Sequence, residues 1–343
     1  MATIKPKIKF YTFRDDQNRS KSFFENYNIT DLIVINENSQ AKYLKPKKER
    51  ICRFCNRSYP ETTFKKKAHT ISNLLGNRHL LNDFECDDCN SKFSHYETSL
   101  GSYLLLHRTI YGTKGRSGIP KISLEERTEI IHHTREGIIE IVGKNLEVND
   151  KGLIKEINSS YIPISIYKAF IKMALSIIDD KEIFFYKDFI QTYLLCGKND
   201  KDLLPLSKIG QYKAGRINRV QEVRCILFRK KIDTNIPFHI FSIYYEDFIF
   251  TLPIPLHLYD LKRGYYSNMR MMIPPTLLFS KPHPNSNVEF KQLDLGCSSN
   301  RTAMYKMDFS INVEELRTVI QEQTNVQLPE NFKVDAFNFK PDL

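Results

Sequence analysis

The chain has no stretch approaching the roughly 18 apolar residues that a membrane-spanning helix needs. Its first ten residues alternate lysine with apolar residues and lack the apolar core of a secretory leader. A membrane or secreted protein is therefore not expected; a soluble cytoplasmic one is. Cysteine is scarce, with seven in 343 residues, and the odd count argues against a disulfide framework. There is no internal repeat, and no low-complexity segment beyond clusters of lysine. Tryptophan is missing altogether, yet 23 Phe, 18 Tyr and a hydrophobic share of 41% supply enough apolar surface to bury a real core. The length exceeds what one compact core usually holds and favours two domains.

The charge is unevenly placed. Of the formal +11, residues 1–121 carry 22 lysines and arginines against 12 acids, leaving 29 against 28 for the rest. A basic N-terminal part fits a polyanionic partner, because each neutralised phosphate releases condensed counterions. Between Gly112 and Pro120 three glycines, a proline and small polar residues punctuate the chain. The charge shift falls at the same place. Two domains are expected, 1–121 and 122–343.

Coarse patterning predicts an α+β protein. Alternation in Ile8, Phe10 and Thr12, and the run Asp31 to Ile35, read as strands. Residues 130–141 read as strand, followed by helices over 164–178 and 181–195, the second closed by Gly197. From Val223 onward strands dominate, through 238–251 and 305–311, broken by prolines. His132 and His133, with Glu136 and Glu140, would line one face of a helix. Gly137 and the β-branched residues Ile138, Ile139, Ile141 and Val142 favour a strand instead, which turns the two histidines to opposite faces.

Four of the seven cysteines form two pairs, Cys52-x-x-Cys55 and Cys86-x-x-Cys89, separated by 30 residues. Two such knuckles supply the four thiolates that tetrahedral Zn²⁺ prefers. Cys196, Cys225 and Cys297 stand alone and read as incidental thiols. Between the pairs lies Phe64-Lys-Lys-Lys-Ala68-His69-Thr70-Ile71-Ser72-Asn73-Leu74-Leu75-Gly76-Asn77, and the second pair closes as Glu85-Cys86-Asp87-Asp88-Cys89-Asn90.

This stretch, residues 50–110, resembles the HNH (ββα-metal) endonucleases, in which a first C-x-x-C precedes a His-bearing hairpin and a second leads into a helix. The resemblance implies a ββα-metal nuclease module; the larger domain after it, mixed α+β by its patterning, is expected to select targets, sense a signal or bind a partner. The resemblance also implies His69 as the general base that takes a proton from the attacking water. Asn90 matches the ligand of the catalytic divalent ion, Mg²⁺ or a similar metal. Asn82 lies near the family's middle Asn, which holds the backbone of the His-bearing loop; Asn77 and Asp83 are rivals for that role.

Two departures stand out. Ala68 occupies the position where many members have an aspartate ligand, and the helix begins with Asn90 where many have His. Mg²⁺ takes oxygen ligands, so Asp83, Glu85 or Glu97 is expected to complete its coordination. A helix starting near Asp87 puts Asn90, Ser94 and Glu97 on one face and turns His95 away. Lys45, Lys47, Lys48 and Arg50, with Lys65, Lys66 and Lys67, are the expected phosphate contacts. The implied activity is metal-dependent hydrolysis of double-stranded DNA, of the kind found in restriction and anti-phage defence. A homodimer or a defence-system partner is left open. The alternative is a non-catalytic zinc-knuckle module that binds nucleic acid.

Overall fold

The computed structural model describes residues 11–12, 16–35, 42–43, 50–124, 128–134, 136–148, 153–196, 206–214, 220–265, 268–278, 288–309, 318, 321–322 and 332–339. Lys45, Lys47 and Lys48, residues 8 and 10 of the first expected strand, and Gly197 lie outside them. In order the elements are α1 (Gln17–Asn26), β1 (Tyr27–Ile35), β2 (Lys42–Tyr43), β3 (Leu80–Leu81), α2 (Asp87–Tyr103), α3 (Leu105–Ile110), β4 (Ile122–Leu124), β5 (Glu129–His133), β6 (Ile139–Val148) and β7 (Leu153–Tyr161). Then follow α4 (Pro163–Ile177), α5 (Asp180–Ile183), α6 (Lys187–Phe189), β8 (Lys208–Lys213), β9 (Val220–Lys230), β10 (His239–Glu246), β11 (Phe248–Ile254), α7 (Leu258–Lys262), β12 (Glu289–Asp294), β13 (Arg301–Phe309) and β14 (Phe332–Phe339). Helices and strands are mixed, as the patterning predicts. Among the described residues, no helix is long and apolar enough to cross a membrane.

The chain forms two compact units, each assembled from separate stretches. The first takes residues 1–73, 77–97 and 163–299; the second takes 74–76, 98–162 and 300–343. Residue 121, where composition places a boundary, falls inside the second unit.

The first unit is built on a six-stranded antiparallel sheet of order β1-β9-β10-β11-β8-β12. β10 and β11 are buried along nearly their whole length, so both faces of the sheet are covered. Pro253 is tolerated in β11 because the pairing with β8 stops at Thr251. On one face Phe23, Tyr27, Ile226, Phe228, Ile240 and Tyr244 form the core. Phe23 stacks on Tyr27 at 4.7 Å and meets Phe228 edge-on at 5.1 Å. Phe250, next to the core residue Ile249 and so on the other face of the strand, lies 5.0 Å from Phe170 of α4. All fifteen residues of α4 except Ser165 are buried, including Lys168 and Lys172. A helix buried all round must give such lysines partners.

The single helix expected over 181–195 is instead α5, a 3₁₀ turn at Phe184–Tyr186, α6 and a π-helical turn at Ile190–Leu195. Three aromatics in a row pull in different directions there. Tyr186 is fully buried with its hydroxyl 2.9 Å from His239 Nδ1, while Phe184 is 63% exposed.

The second unit holds a four-stranded antiparallel sheet, β14-β6-β5-β4, and the pair β13-β7. Ile131, Ile139, Ile141, Leu153 and Ile157 pack with Leu106 of α3 as its core. His132 and His133 are strand residues in β5. His132 Nε2 meets Glu140 Oε2 at 2.9 Å across the ladder, and His133 Nδ1 lies 2.8 Å from the Thr134 carbonyl.

Candidate active site

Residues 50–73 and 77–97, all in the first unit, carry the two knuckles and the hairpin between them. In the first knuckle, Cys52 N–H donates to the Arg57 carbonyl and Asn56 N–H to the Cys52 carbonyl, both at 2.8 Å. Asn56 takes φ +59°, a left-handed conformation that Asn tolerates, and this closes the turn around the first two sulfurs. Arg53 N–H donates to the Phe84 carbonyl at 2.9 Å, tying this knuckle to the second. Cys86 and Cys89 sit where the chain enters α2, which begins at Asp87, as the resemblance implies.

The four sulfurs lie within 4.8 Å of one another, with Cys52 to Cys89 at 3.7 Å and Cys55 to Cys86 at 3.6 Å. Zn–S bonds of about 2.3 Å in a tetrahedron put sulfurs about 3.8 Å apart, so the cage fits zinc as it stands. Contact with Cys89 draws the Cys52 thiol down to about 5 against the opposing effect of burial. The Cys89 thiol is pushed up by the same contact, and Cys86 by burial. Sulfurs this close cannot all ionise without a cation among them. Arg57 Nε donates to Cys55 Sγ at 3.4 Å and adds positive charge beside the cage. Cys196 is exposed, Cys225 buried and Cys297 half-buried; none joins the cluster.

His69 sits on a short hairpin. Thr70 N–H donates to the Leu80 carbonyl at 3.2 Å and Asn82 N–H to the Ala68 carbonyl at 2.9 Å, which sets His69 opposite Leu81. The connecting loop is held by Asn77, which is fully buried. Its amide donates to the Ile71 carbonyl at 2.6 Å and the Leu80 carbonyl at 3.0 Å. Its side-chain oxygen accepts from the N–H groups of His79 and Leu80. Gly76 precedes it at φ +90°, a conformation that suits glycine. Asn82 does a different job. Its oxygen accepts from Phe84 N–H at 3.2 Å, closing the turn into α2, and its amide donates to Glu85 Oε2 at 3.3 Å.

The acids are committed in distinct ways. Asp83 is 3.6 Å from Arg50. Glu85 and Glu97 both meet Lys172 of α4, at 3.2 and 3.3 Å, and Ser72 Oγ donates to Glu97 at 2.8 Å. The same ammonium donates to the main-chain carbonyl of His69 at 2.6 Å. Burial pushes the Glu85 carboxyl up to about 7, against the pull of Lys172. Burial also works against the Lys172 charge, but Glu85 and Glu97 outweigh it and hold the ammonium above the usual lysine range.

Asp83 Oδ2 and Glu85 Oε1 are buried without a hydrogen-bond partner in the protein, and both residues line a cleft of about 180 Å³. Arg50, Lys65, Lys66, Lys67 and Asn82 line it too. Lys65 and Lys67 are exposed. Lys66 donates its N–H to Asp87 Oδ1 at 2.8 Å and its Nζ to Ser91 Oγ at 2.7 Å. Asn90 is half-buried in the first turn of α2. His95 is exposed.

The structure thus brings Arg50, Lys65 to Lys67, Asn82, Asp83 and Glu85 to one cleft, and places Glu97 with Lys172. Two residues that tie the module to α4 escaped sequence reading. One is Lys172; the other is Arg53, which donates to the carbonyls of Ser176 at 2.9 Å and Ile178 at 2.7 Å at the end of α4. The sequence signal for Lys172 was Lys168 and Lys172 four apart in a helix with no other charged residue.

A zinc cage whose second half opens the helix and whose two halves bracket a His-bearing hairpin defines the ββα-metal class of nucleases. Residues 52–100 match the family model of the HNH endonucleases. The match is confined to this segment of a longer chain. No curated protein and no solved structure matches the chain.

Proposed function

We propose that the protein is a metal-dependent endonuclease that hydrolyses phosphodiester bonds of double-stranded DNA. The observation that carries this reading is the hairpin of His69 running into α2 through a four-sulfur cage, in a segment that matches the HNH endonucleases. His69, which does not itself line the cleft but follows Ala68 and pairs with Leu81, which do, is the general base, its backbone held by the hairpin and by the Asn77-anchored loop. The buried, unsatisfied oxygens of Asp83 and Glu85 are the hard donors that a divalent cation takes, with Asn90 a further ligand on α2. Such an ion, when bound, polarises the phosphodiester and its bound water. Lys65, Lys67 and Arg50 hold the phosphate backbone beside it. Restriction or anti-phage defence is the setting that the module's resemblance suggests.

The second reading, a zinc-knuckle module that binds nucleic acid without cutting it, is favoured by one observation. Ala68 offers no ligand beside His69, while Glu97 and one oxygen of Glu85 are taken up by Lys172. Nicking of supercoiled plasmid with Mg²⁺ separates the two. The nuclease reading expects cleavage that chelator abolishes and that His69→Ala reduces by about 10²–10⁴-fold without loss of zinc. Wild-type protein that binds DNA but leaves it intact with Mg²⁺, Mn²⁺ and other divalent ions would sink it.

A further inference from the structure

We infer that Lys172, a residue outside the HNH segment, is a positioning residue of the nuclease site and fixes the frame from which His69 acts. This inference rests on the nuclease reading above. A lysine ammonium has three donors and no acceptor. All three find partners here: the His69 carbonyl at 2.6 Å, Glu85 at 3.2 Å and Glu97 at 3.3 Å. Each acceptor belongs to a different part of the ββα unit. His69 lies on the first hairpin strand, Glu85 on the turn between the second strand and the helix, and Glu97 on α2 itself.

The two acids extend the tie. Glu97 accepts from Ser72 at 2.8 Å, just beyond His69, and Glu85 from Asn82 at 3.3 Å, on the opposite strand. One cation therefore closes a network that binds both strands of the hairpin to the helix. Its Nζ also lies 5.9 Å from the Phe93 ring centroid of α2. The Lys172 side chain is 1% exposed and that of Glu85 0%. Water cannot stand in for the ammonium in such a place, so no solvent bond replaces the tie that this side chain makes. A planar guanidinium cannot reproduce three hydrogen bonds in three directions.

α4 carries this lysine and is not itself loose. Phe170, two residues earlier, packs on Phe250 of the sheet, and Arg53 from the first zinc knuckle holds the carbonyls at its C-terminal end. The base is thus referenced to the large sheet as well as to the zinc cage. A displaced ββα unit still binds DNA through its surface cations but misaligns the proton transfer. The expected signature is a loss at saturation and no change in half-saturation.

The test uses the full-length, zinc-loaded chain on plasmid DNA with Mg²⁺, with wild type and His69→Ala run alongside. Lys172→Met is expected to lower the nicking rate at saturating DNA at least tenfold, with the half-saturating DNA concentration and zinc content unchanged. Because that variant buries two acids without their cation, Lys172→Met/Glu97→Gln is made as well, which leaves the buried net charge as it was. Compared with Glu97→Gln alone, it is expected to fold like the wild type yet keep the tenfold loss. Full cutting by Lys172→Met overturns the inference. So does recovery of both folding and cutting in the double variant, which makes Lys172 a charge balance only, or a double variant that fails to fold, which makes it structural only. A wild-type chain that does not cut under any divalent ion rejects the nuclease reading itself and is told apart by that lane.

Discussion

The four-cysteine module and the six-stranded sheet both bury apolar side chains, Phe54, Ile71 and Phe93 in the module, but differ in how much of their cohesion is polar. The sheet buries Phe23, Tyr27, Phe228, Ile240 and Tyr244 against one another, and area removed from water stabilises it. The module buries Thr62, Thr70, Ser72, Asn77, Asn82 and Glu85, and satisfies most of them with directed bonds. An apolar core tolerates small shifts and loses stability by degrees. A polar network with a metal cage works as a whole or fails as a whole. Fold and site in this chain therefore respond to different perturbations, and each can be struck separately.

The hardest blow to the module is removal of its zinc. Chelation, or Cys89→Ser, should unfold residues 50–97, since structural zinc contributes about 10–16 kcal/mol in comparable knuckles. The sheet's own melting transition should survive it. Loss of the metal without change in the near-ultraviolet spectrum and proteolysis pattern of the module would break the comparison. The converse blow is Phe228→Ala, a fully buried ring in the sheet. It should cost about 3–5 kcal/mol of stability by thermal or denaturant melting. Zinc stoichiometry should stay at one per folded chain.

A smaller effect tests the sheet unit's own polar exception. His257 is 1% exposed, stacks on Phe238 at 3.8 Å and accepts the Tyr259 N–H on Nδ1 at 3.2 Å. Burial, aided by the nearby His239, lowers its folded-state value from 6.5 to about 3. Its contribution is therefore complete above the unfolded value and is lost as pH falls below it. Between pH 6.5 and 5 that amounts to about 2 kcal/mol. His257→Asn keeps a cap acceptor and cannot ionise, so its stability should vary less over this interval; an unchanged slope would refute the assignment. The smallest effect belongs to the surface. Lys65→Ala/Lys67→Ala should weaken duplex binding severalfold and flatten its salt dependence by about 0.9 for each phosphate that is no longer neutralised, leaving melting untouched.

The local parts of the site were legible because local spacing encodes them. The two C-x-x-C pairs follow from neighbours a few residues apart, and the hairpin at His69 and the helix after Cys86 from the resemblance that those pairs and the residues between them carry. The parts that escaped are meetings across long separations. Lys172 reaches His69 over 103 residues and Arg53 reaches Ile178 over 125. No periodicity records such a meeting. The same cause explains the interleaved units: β14 pairs with β6 and β13 with β7, so composition, which shifts near residue 121, does not mark where the chain returns. Asn77 was visible as a candidate, but its role as loop anchor depends on four bonds that only the folded hairpin displays.

The placement of Lys172 also sets a timetable for synthesis. When the ribosome has released residue 97, both zinc knuckles and the hairpin exist, but the lysine that ties hairpin to helix is 75 residues from being made. At about 5–20 residues per second that gap lasts about 4–15 seconds. During it the nascent module can gather its metal, while Glu85 and Glu97 lack their cation and stay open to water. The chain can therefore emerge with its metal cage formed but its hairpin not yet tied to the helix, and α4 completes the arrangement only after the polypeptide has grown well past the HNH-like segment.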